Sequence, residues 1–341
     1  MATYANALAA LDGFRTELHT QKSTEGVMTA FAARGALSAF STPLTNIHAT
    51  GVGMRVRGGQ IVPDEFVIKV YVFDKVVSTA AIPALMASFG DVGVDVEALP
   101  IQMAFVGGGA NPKAKQRPIV GGISIAPLNQ NFAGTLGCFV KSASVPNSSA
   151  IYVLSNNHVL SDVDRLPFGT KIVQPASEVT VSTANDVFAV ADRKIIIDFN
   201  SPNLFDAALA MVTDNSLVSL GKMLGIPNYT PQLATPLPNM RVIKSGRTTG
   251  VTEGIITAIK VNGVRVNYAA VGQPSKVATF NNCIQIVGIN GKPFSDHGDS
   301  GSVILEKSTG KPVALLFAGD GATTTACDLP SLCRRLNVIP A

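Results

Sequence analysis

From Ile119 onward the chain is a succession of short apolar runs punctuated by Gly, Pro and Asn, and no other feature limits its fold as strongly. The runs include Gly134–Val140, Ile151–Leu154, Lys194–Ile197, Ala207–Val212, Val251–Val261, Cys283–Val287, Ser302–Leu305 and Val313–Phe317. Most are too short for a packed helix and long enough for a strand. A strand buries its apolar face only against another sheet layer, so a series of this kind predicts a barrel or a sandwich. No repeat period of solenoid type is present.

The first third reads differently. Ala7, Leu8, Leu11, Phe14 and Leu18 fall at three-and-four spacing, which predicts one apolar helical stripe, and Val27–Leu37 reads as a second helical piece. This arm, residues 1–45, either packs on its own chain or serves self-association into a homo-oligomer or regulation. From Thr50 the pattern alternates. Gly51–Arg57 and Glu65–Phe73, joined at Gly58-Gly59, predict a hairpin; Ile82–Phe89 predicts a short helix and Asp91–Glu97 a strand. Residues 46–106 are thus expected to form a small α+β module, and 107–118, rich in Gly, Pro and polar residues, a linker. The remainder, 119–341, divides into two β units at about residue 235.

Composition removes several classes of function. The net charge is +4 over 341 residues, with scattered Lys and Arg, which argues against a dedicated nucleic-acid or anionic-membrane surface. Apolar residues at 46% against charged residues at 15% exclude disorder for most of the chain. A surface so poor in charge is also what a subunit covered by another would show. The start of the sequence lacks a basic segment followed by an apolar one, so no secretory signal is expected. Nor is there an apolar run long enough for a membrane helix. Cys138, Cys283, Cys327 and Cys333 have no His or Cys at ligand spacing. Neither a metal site nor a cofactor is expected, and reduced thiols in a cytoplasm are the simplest reading.

Three local strings carry chemistry: Leu154-Ser-Asn-Asn-His158, Asn203-Leu-Phe-Asp206-Ala-Ala-Leu and Gly298-Asp-Ser300-Gly-Ser302. A serine hydroxyl needs a base within hydrogen-bond reach to become a nucleophile. Imidazole titrates in the right range, and a carboxylate on its far nitrogen fixes the tautomer. Small residues around the serine allow a tight turn whose N–H groups face a developing oxyanion. Singly, each string has an ordinary reading as a turn, a structural histidine or a capping aspartate. Together, in the order His, Asp, Ser with gaps of 48 and 94 residues, they form a constellation.

That set resembles the trypsin/chymotrypsin-like serine peptidases, over roughly residues 117–341. Ser245–Gly250, Gly134–Val140 and Ala314–Gly319 look especially like an intracellular branch similar to the plant narrow-leaf protease and its bacterial relatives. The resemblance implies a mainly β, two-barrel chymotrypsin-like fold, about 119–235 and 236–341, behind the helical arm and the α+β module. It implies His158 as general base, Asp206 as its orienter and Ser300 as nucleophile, with the N–H groups of Gly298 and Ser300 as oxyanion hole. Phe317, Ala318 and Gly319 would pair with the substrate backbone. Phe294 would floor the primary pocket and His297 stand at its rim, which favours apolar or small residues over basic ones. The implied activity is that of a serine endopeptidase acting on protein or peptide through an acyl-enzyme. An esterase with the same triad and a catalytically silent scaffold are the alternatives. Asp198 competes with Asp206 but lacks its Asp-Ala-Ala-Leu context. Ile119-Val-Gly-Gly122 is similar to the amino terminus that zymogen cleavage frees in secreted members to pair with the Asp before the nucleophile, here Asp299. The preceding Arg117-Pro118 is a poor cleavage site, so Ile119–Gly122 is read as an ordinary strand and Asp299 as satisfied internally.

Overall fold

The computed structural model describes residues 2–32, 47–57, 60–72, 92–99, 102–104, 115–145, 147–176, 183–268, 276–289 and 291–341; the side chains of 23–32, 60 and 102–104 lie outside that description. It begins with α1 (Tyr4–Ala32), β1 (Ile47–Arg57), β2 (Gln60–Val72), β3 (Gly93–Ala98) and β4 (Gln102–Ala104). The apolar stripe of α1 is used within the chain: Ala7, Leu11, Phe14 and Leu18 are buried in one cluster with Val52, Ile68 and Val70. The helix runs on through Val27–Ala32 as one element, not as a separate second piece, because Gly26 lowers helix propensity without blocking the backbone bonds. The rest of that piece, and the helix expected over Ile82–Phe89, fall outside the described residues. The hairpin forms as its alternation predicts, with Thr50 opposite Val70 and Met54 opposite Phe66, and β3 adds alongside β2 in parallel.

The first barrel contains β5 (Ile119–Gly121), β6 (Ser124–Pro127), β7 (Gly134–Thr135), β8 (Cys138–Ser142), β9 (Tyr152–Ser155), the single turn α2 (Asn157–Leu160), β10 (Lys171–Val173), β11 (Val187–Lys194) and β12 (Ala208–Val212). The neighbour order is β8-β9-β12-β11-β10-β6-β7. Because β7 and β8 are two ends of one run, the sheet returns to its start. Leu136 N–H to Ile123 O (2.9 Å) and Gly137 N–H to Leu154 O (3.0 Å) carry the pairing across the break. Ile125, Leu136, Phe139, Val153 and Phe188 fill the interior. Outside it, β13 (Val218–Met223) pairs in parallel with β5.

The second barrel follows with β14 (Arg241–Gly246), β15 (Gly250–Asn262), β16 (Val264–Asn267), β17 (Val277–Phe280), β18 (Cys283–Gly288), β19 (Val303–Glu306), β20 (Pro312–Gly319) and β21 (Thr323–Asp328). β14, β15, β18, β21, β20 and β19 pair in sequence and β19 closes on β14, a ring of six strands. Period-two alternation divides the side chains. Ile304, Ala314 and Leu316 enter the barrel core with Val242 and Ile286. Val303, Leu305, Leu315 and Phe317 face a second cluster shared with Leu154 and Leu209 of the first barrel. α3 (Leu329–Leu336) and β22 (Val338–Pro340), the latter paired with β8, strap the two barrels together. The chain therefore adopts the mainly β, two-barrel architecture expected of it.

The upstream module is not a detached unit. β1 pairs with β15, with Val52 opposite Ile259, and β4 lies between β16 and β20 in the same sheet. An open strand edge presents unpaired N–H and C=O groups, and β1 and β4 satisfy two of them. The end of the expected linker is also fixed: Lys115 Nζ sits 2.8 Å from Asp186 Oδ1, and Gln116 N–H donates to Gln174 Oε1 (3.0 Å).

Candidate active site

β9 and β12 are neighbours with Ser155 opposite Ala208. Residues just past Ser155 and just before Ala208 therefore emerge at the same end of the pair, and these are His158 and Asp206. Asp206 Oδ1 accepts from the backbone N–H groups of Asn157 (2.8 Å) and His158 (3.2 Å). Its Oδ2 meets His158 Nδ1 at 2.5 Å and accepts from the Tyr268 hydroxyl at 2.9 Å. Four donors thus converge on one buried carboxylate. The preceding asparagines clamp the loop: Asn156 Nδ2 donates to Asp206 O (2.7 Å), and Asn157 Nδ2 to Asp164 Oδ1 and Ile195 O (both 2.7 Å). With Nδ1 committed to Asp206, the basic nitrogen of neutral His158 is Nε2. That atom is buried and has no hydrogen-bond partner among the described residues.

Tyr268 escapes sequence reasoning because it comes from the other barrel, just past β16. Burial, reinforced by the Asp206 charge, pushes its phenol well above the usual tyrosine range, so it stays a donor. Its ring stands edge-on to His158, centroids 5.8 Å apart.

Ser300 lies on the loop entering β19. Gly298 has φ +91°, and a Cβ there would fall 2.6 Å from both Arg247 Nη1 and Thr248 Oγ1, so only glycine fits. Thr135 of the first barrel holds this loop, giving its N–H to Ser300 O (2.8 Å) and its hydroxyl to Gly298 O (3.0 Å). A Cβ on Gly134 would lie 2.4 Å from Val159 Cγ2 and 3.1 Å from Ser300 O. The missing side chain lets the turn carrying His158 close on the Ser300 loop. The N–H groups of Gly298 and Ser300 find no acceptor among the described residues, while Ser300 Oγ donates to Phe317 O (3.4 Å). His158, Asp206 and Ser300 are each 0% exposed.

Asp299 is satisfied internally, as expected. The Thr248 and Thr249 N–H groups donate to Oδ1 (2.9 and 3.2 Å), and the Thr249 hydroxyl and Asp296 N–H donate to Oδ2 (2.6 and 3.1 Å). The cation is Lys244 of β14, Nζ 3.2 Å from Oδ2, both side chains fully buried. Ile119 is an ordinary residue of β5, buried in the first core.

The remaining candidates scatter. Phe317, Ala318 and Gly319 form the end of β20, beside Ser300. Phe294 is buried in the second-barrel core, its ring centroid 5.9 Å from Lys244 Nζ. Next to it, the Ser295 and Thr324 hydroxyls pair at 2.6 Å, both buried, with Thr324 opposite Gly319. His297 is exposed, its N–H on Asp296 Oδ1 (2.7 Å). Asp198 caps its own turn through Asn200 and Ser201 N–H groups, which hold its carboxyl below the usual range; it is no part of the His158 cluster.

A scan against models of protein families finds no match, and a search of curated proteins finds none. Among solved structures, the chain is similar to a glutamic-acid-specific serine protease that uses a histidine triad in substrate binding, at 16% identity and TM-score 0.45, over 65% of this chain and 100% of that one. It is similar to Thermobifida fusca protease A at 16% identity and TM-score 0.46, over 65% of this chain and 98% of the other. The Cellulomonas bogoriensis chymotrypsin matches at 15% identity and TM-score 0.44, again over 65% and 98%.

Proposed function

We propose that the chain is a serine endopeptidase of the chymotrypsin-like class, with Ser300 as nucleophile, His158 as general base and Asp206 as orienter. The observation that carries this reading is the polarised histidine: Nδ1 fastened at 2.5 Å to a buried carboxylate, Nε2 buried without a hydrogen-bond partner among the described residues, while Ser300 Oγ rests on Phe317 O. In the reaction Ser300 Oγ attacks the scissile carbonyl as His158 Nε2 takes its proton. The unspent N–H groups of Gly298 and Ser300 donate to the oxyanion. Collapse expels the amine with the proton from His158, and water repeats the sequence on the acyl-enzyme. The uncut chain carries Lys244 where secreted relatives of the family place a freed ammonium, so no cleavage at Ile119 is required. Cleavage after apolar or small residues fits the surroundings of Gly319, where the facing Thr324 and its partner Ser295 offer a basic side chain two hydroxyls and no carboxylate. The four free, buried cysteines fit a reducing compartment and the intracellular branch.

A fluorophosphonate probe tests the nucleophile and a peptide library tests the substrate class. A covalent adduct on Ser300 with peptide turnover is the expected result. An adduct with turnover of esters alone supports the esterase, and a folded chain taking no adduct supports the silent scaffold. Strict cleavage after Arg or Lys would refute the pocket reading.

A further inference from the structure

The edge of β20 beyond Ser300 is already paired within the chain. Along one side of this strand the partners change in order: β19 pairs with Pro312–Leu315, the Ser300 loop then pairs with Leu316 through Gly301 N–H (2.9 Å) and Ser302 O (2.9 Å), and Ser300 Oγ reaches Phe317 O. The next two residues, Ala318 and Gly319, are opposite Ala104 and Met103 of β4, antiparallel. β4 thus occupies the two edge positions immediately beyond Ser300. Its chain direction brings Met103, then Ala104, toward Ser300. A peptide lying antiparallel on this edge, its acyl side approaching the nucleophile, would use the same main-chain groups in the same direction. The other edge of β4 is covered by β16, with Gln102 opposite Val266 and Met103 opposite Asn267, so the strand is held from both sides.

We infer that Gln102–Ala104 is an internal peptide ligand of the substrate-binding edge and holds the intact chain in a self-blocked state. The inference rests on the reading of Ser300 as a peptidase nucleophile and adds the regulation of that site. Two independent features agree with it. Ser300 and His158 are both 0% exposed, whereas a free cleft must admit a substrate carbonyl to the serine oxygen. And a three-residue strand has no amphipathic face of its own to place it, so the pairing with β16 and β20 is what sets its position. Competition is by main chain, which makes the natural occupant an extended peptide and the displacement reversible.

Proline at either paired position removes an N–H and disrupts the strand without touching the triad. Full-length wild type, Met103→Pro and Ala104→Pro would be compared for rate of fluorophosphonate labelling at Ser300 and for cleavage of fluorescently labelled casein, with Ser300→Ala as the blank. Labelling and casein cleavage at least tenfold faster in the proline variants support the block. Equal rates in all three active proteins overturn it and leave the peptidase reading intact. No labelling in any folded protein overturns the peptidase reading and the block with it. Amide hydrogen exchange on wild type serves if the proline variants misfold. Amides of 102–104 protected by pairing on both sides support the inference, and exchange at the rate of an open chain overturns it.

Discussion

At the scale of single residues, the proposed chemistry turns on the Asp206 carboxylate, which collects His158, Tyr268 and two backbone N–H groups. Ser300→Ala removes one oxygen and no core packing, so turnover should drop by about 10³-fold or more while the unfolding midpoint stays put. His158→Ala should fall to a similar level, and the double variant no lower; multiplied losses in steady-state kinetics would count against the pair acting as a unit. Tyr268→Phe keeps the ring against His158 and deletes only the bond to Asp206. A hydrogen bond to a charged group contributes about 1.5–3 kcal/mol, so kcat should fall by about 10- to 150-fold with KM unchanged. A rise in KM alone would remove Tyr268 from the histidine's support. His158, Asp206 and Ser300 stand out as candidates in the sequence because local strings of small and amide residues surround them. Tyr268 and Thr135 were not, since their partners are 62 and 163 residues away and no local pattern records such a pairing.

Elements are where buried charge and strand pairing show their cost. Lys244 on β14 and Asp299 in the Ser300 loop are both fully buried, 3.2 Å apart. Lys244→Met should destabilise by about 3–5 kcal/mol, because it leaves a buried carboxylate unpaired, and adding Asp299→Asn should recover much of that loss in denaturant melts. If the double variant were as unstable as the single one, the pair would not be the reason. Asp186, before β11, is held at a pKa of about 2, chiefly by its bond to Lys115 and then by the Thr183 N–H. A carboxylate depressed below its ordinary ~3.9 contributes stability above that value and loses it as pH falls toward 2. The gap in urea midpoint between wild type and Asp186→Asn should therefore be open at pH 6 and closed at pH 2; a gap unchanged with pH would sink the assignment. Alternation located β1 and β2, and short apolar runs located β8, β9, β12, β15, β18, β19 and β20, whereas the run Lys194–Ile197 starts where β11 ends and β6, β10, β14, β16, β17 and β21 are not among the runs. Neither signal could locate β4, whose three residues carry no period and take their place from β16 and β20.

For the whole molecule, the clusters matter more than the boundaries drawn from composition. The module and second barrel share one sheet through β1 and β15, and the seam cluster draws Leu154, Tyr71, Phe317 and Leu332 from the module, both barrels and α3 together. The full chain should unfold in one cooperative step, and a fragment of 115–341, which bares the edges of β15 and β20, should unfold at lower denaturant. Two separated transitions in the full chain would show that the module folds by itself. The Lys244–Asp299 pair has a last implication at this scale. Chains that wait for a new amino terminus treat a broken peptide bond as a one-way decision, since the cut is never rejoined. Here the positive charge is written into the sequence and present from the moment of folding. The loop around Ser300 keeps no memory of an upstream cut, so under the proposed block by β4 one molecule would be silenced and used again many times in its life.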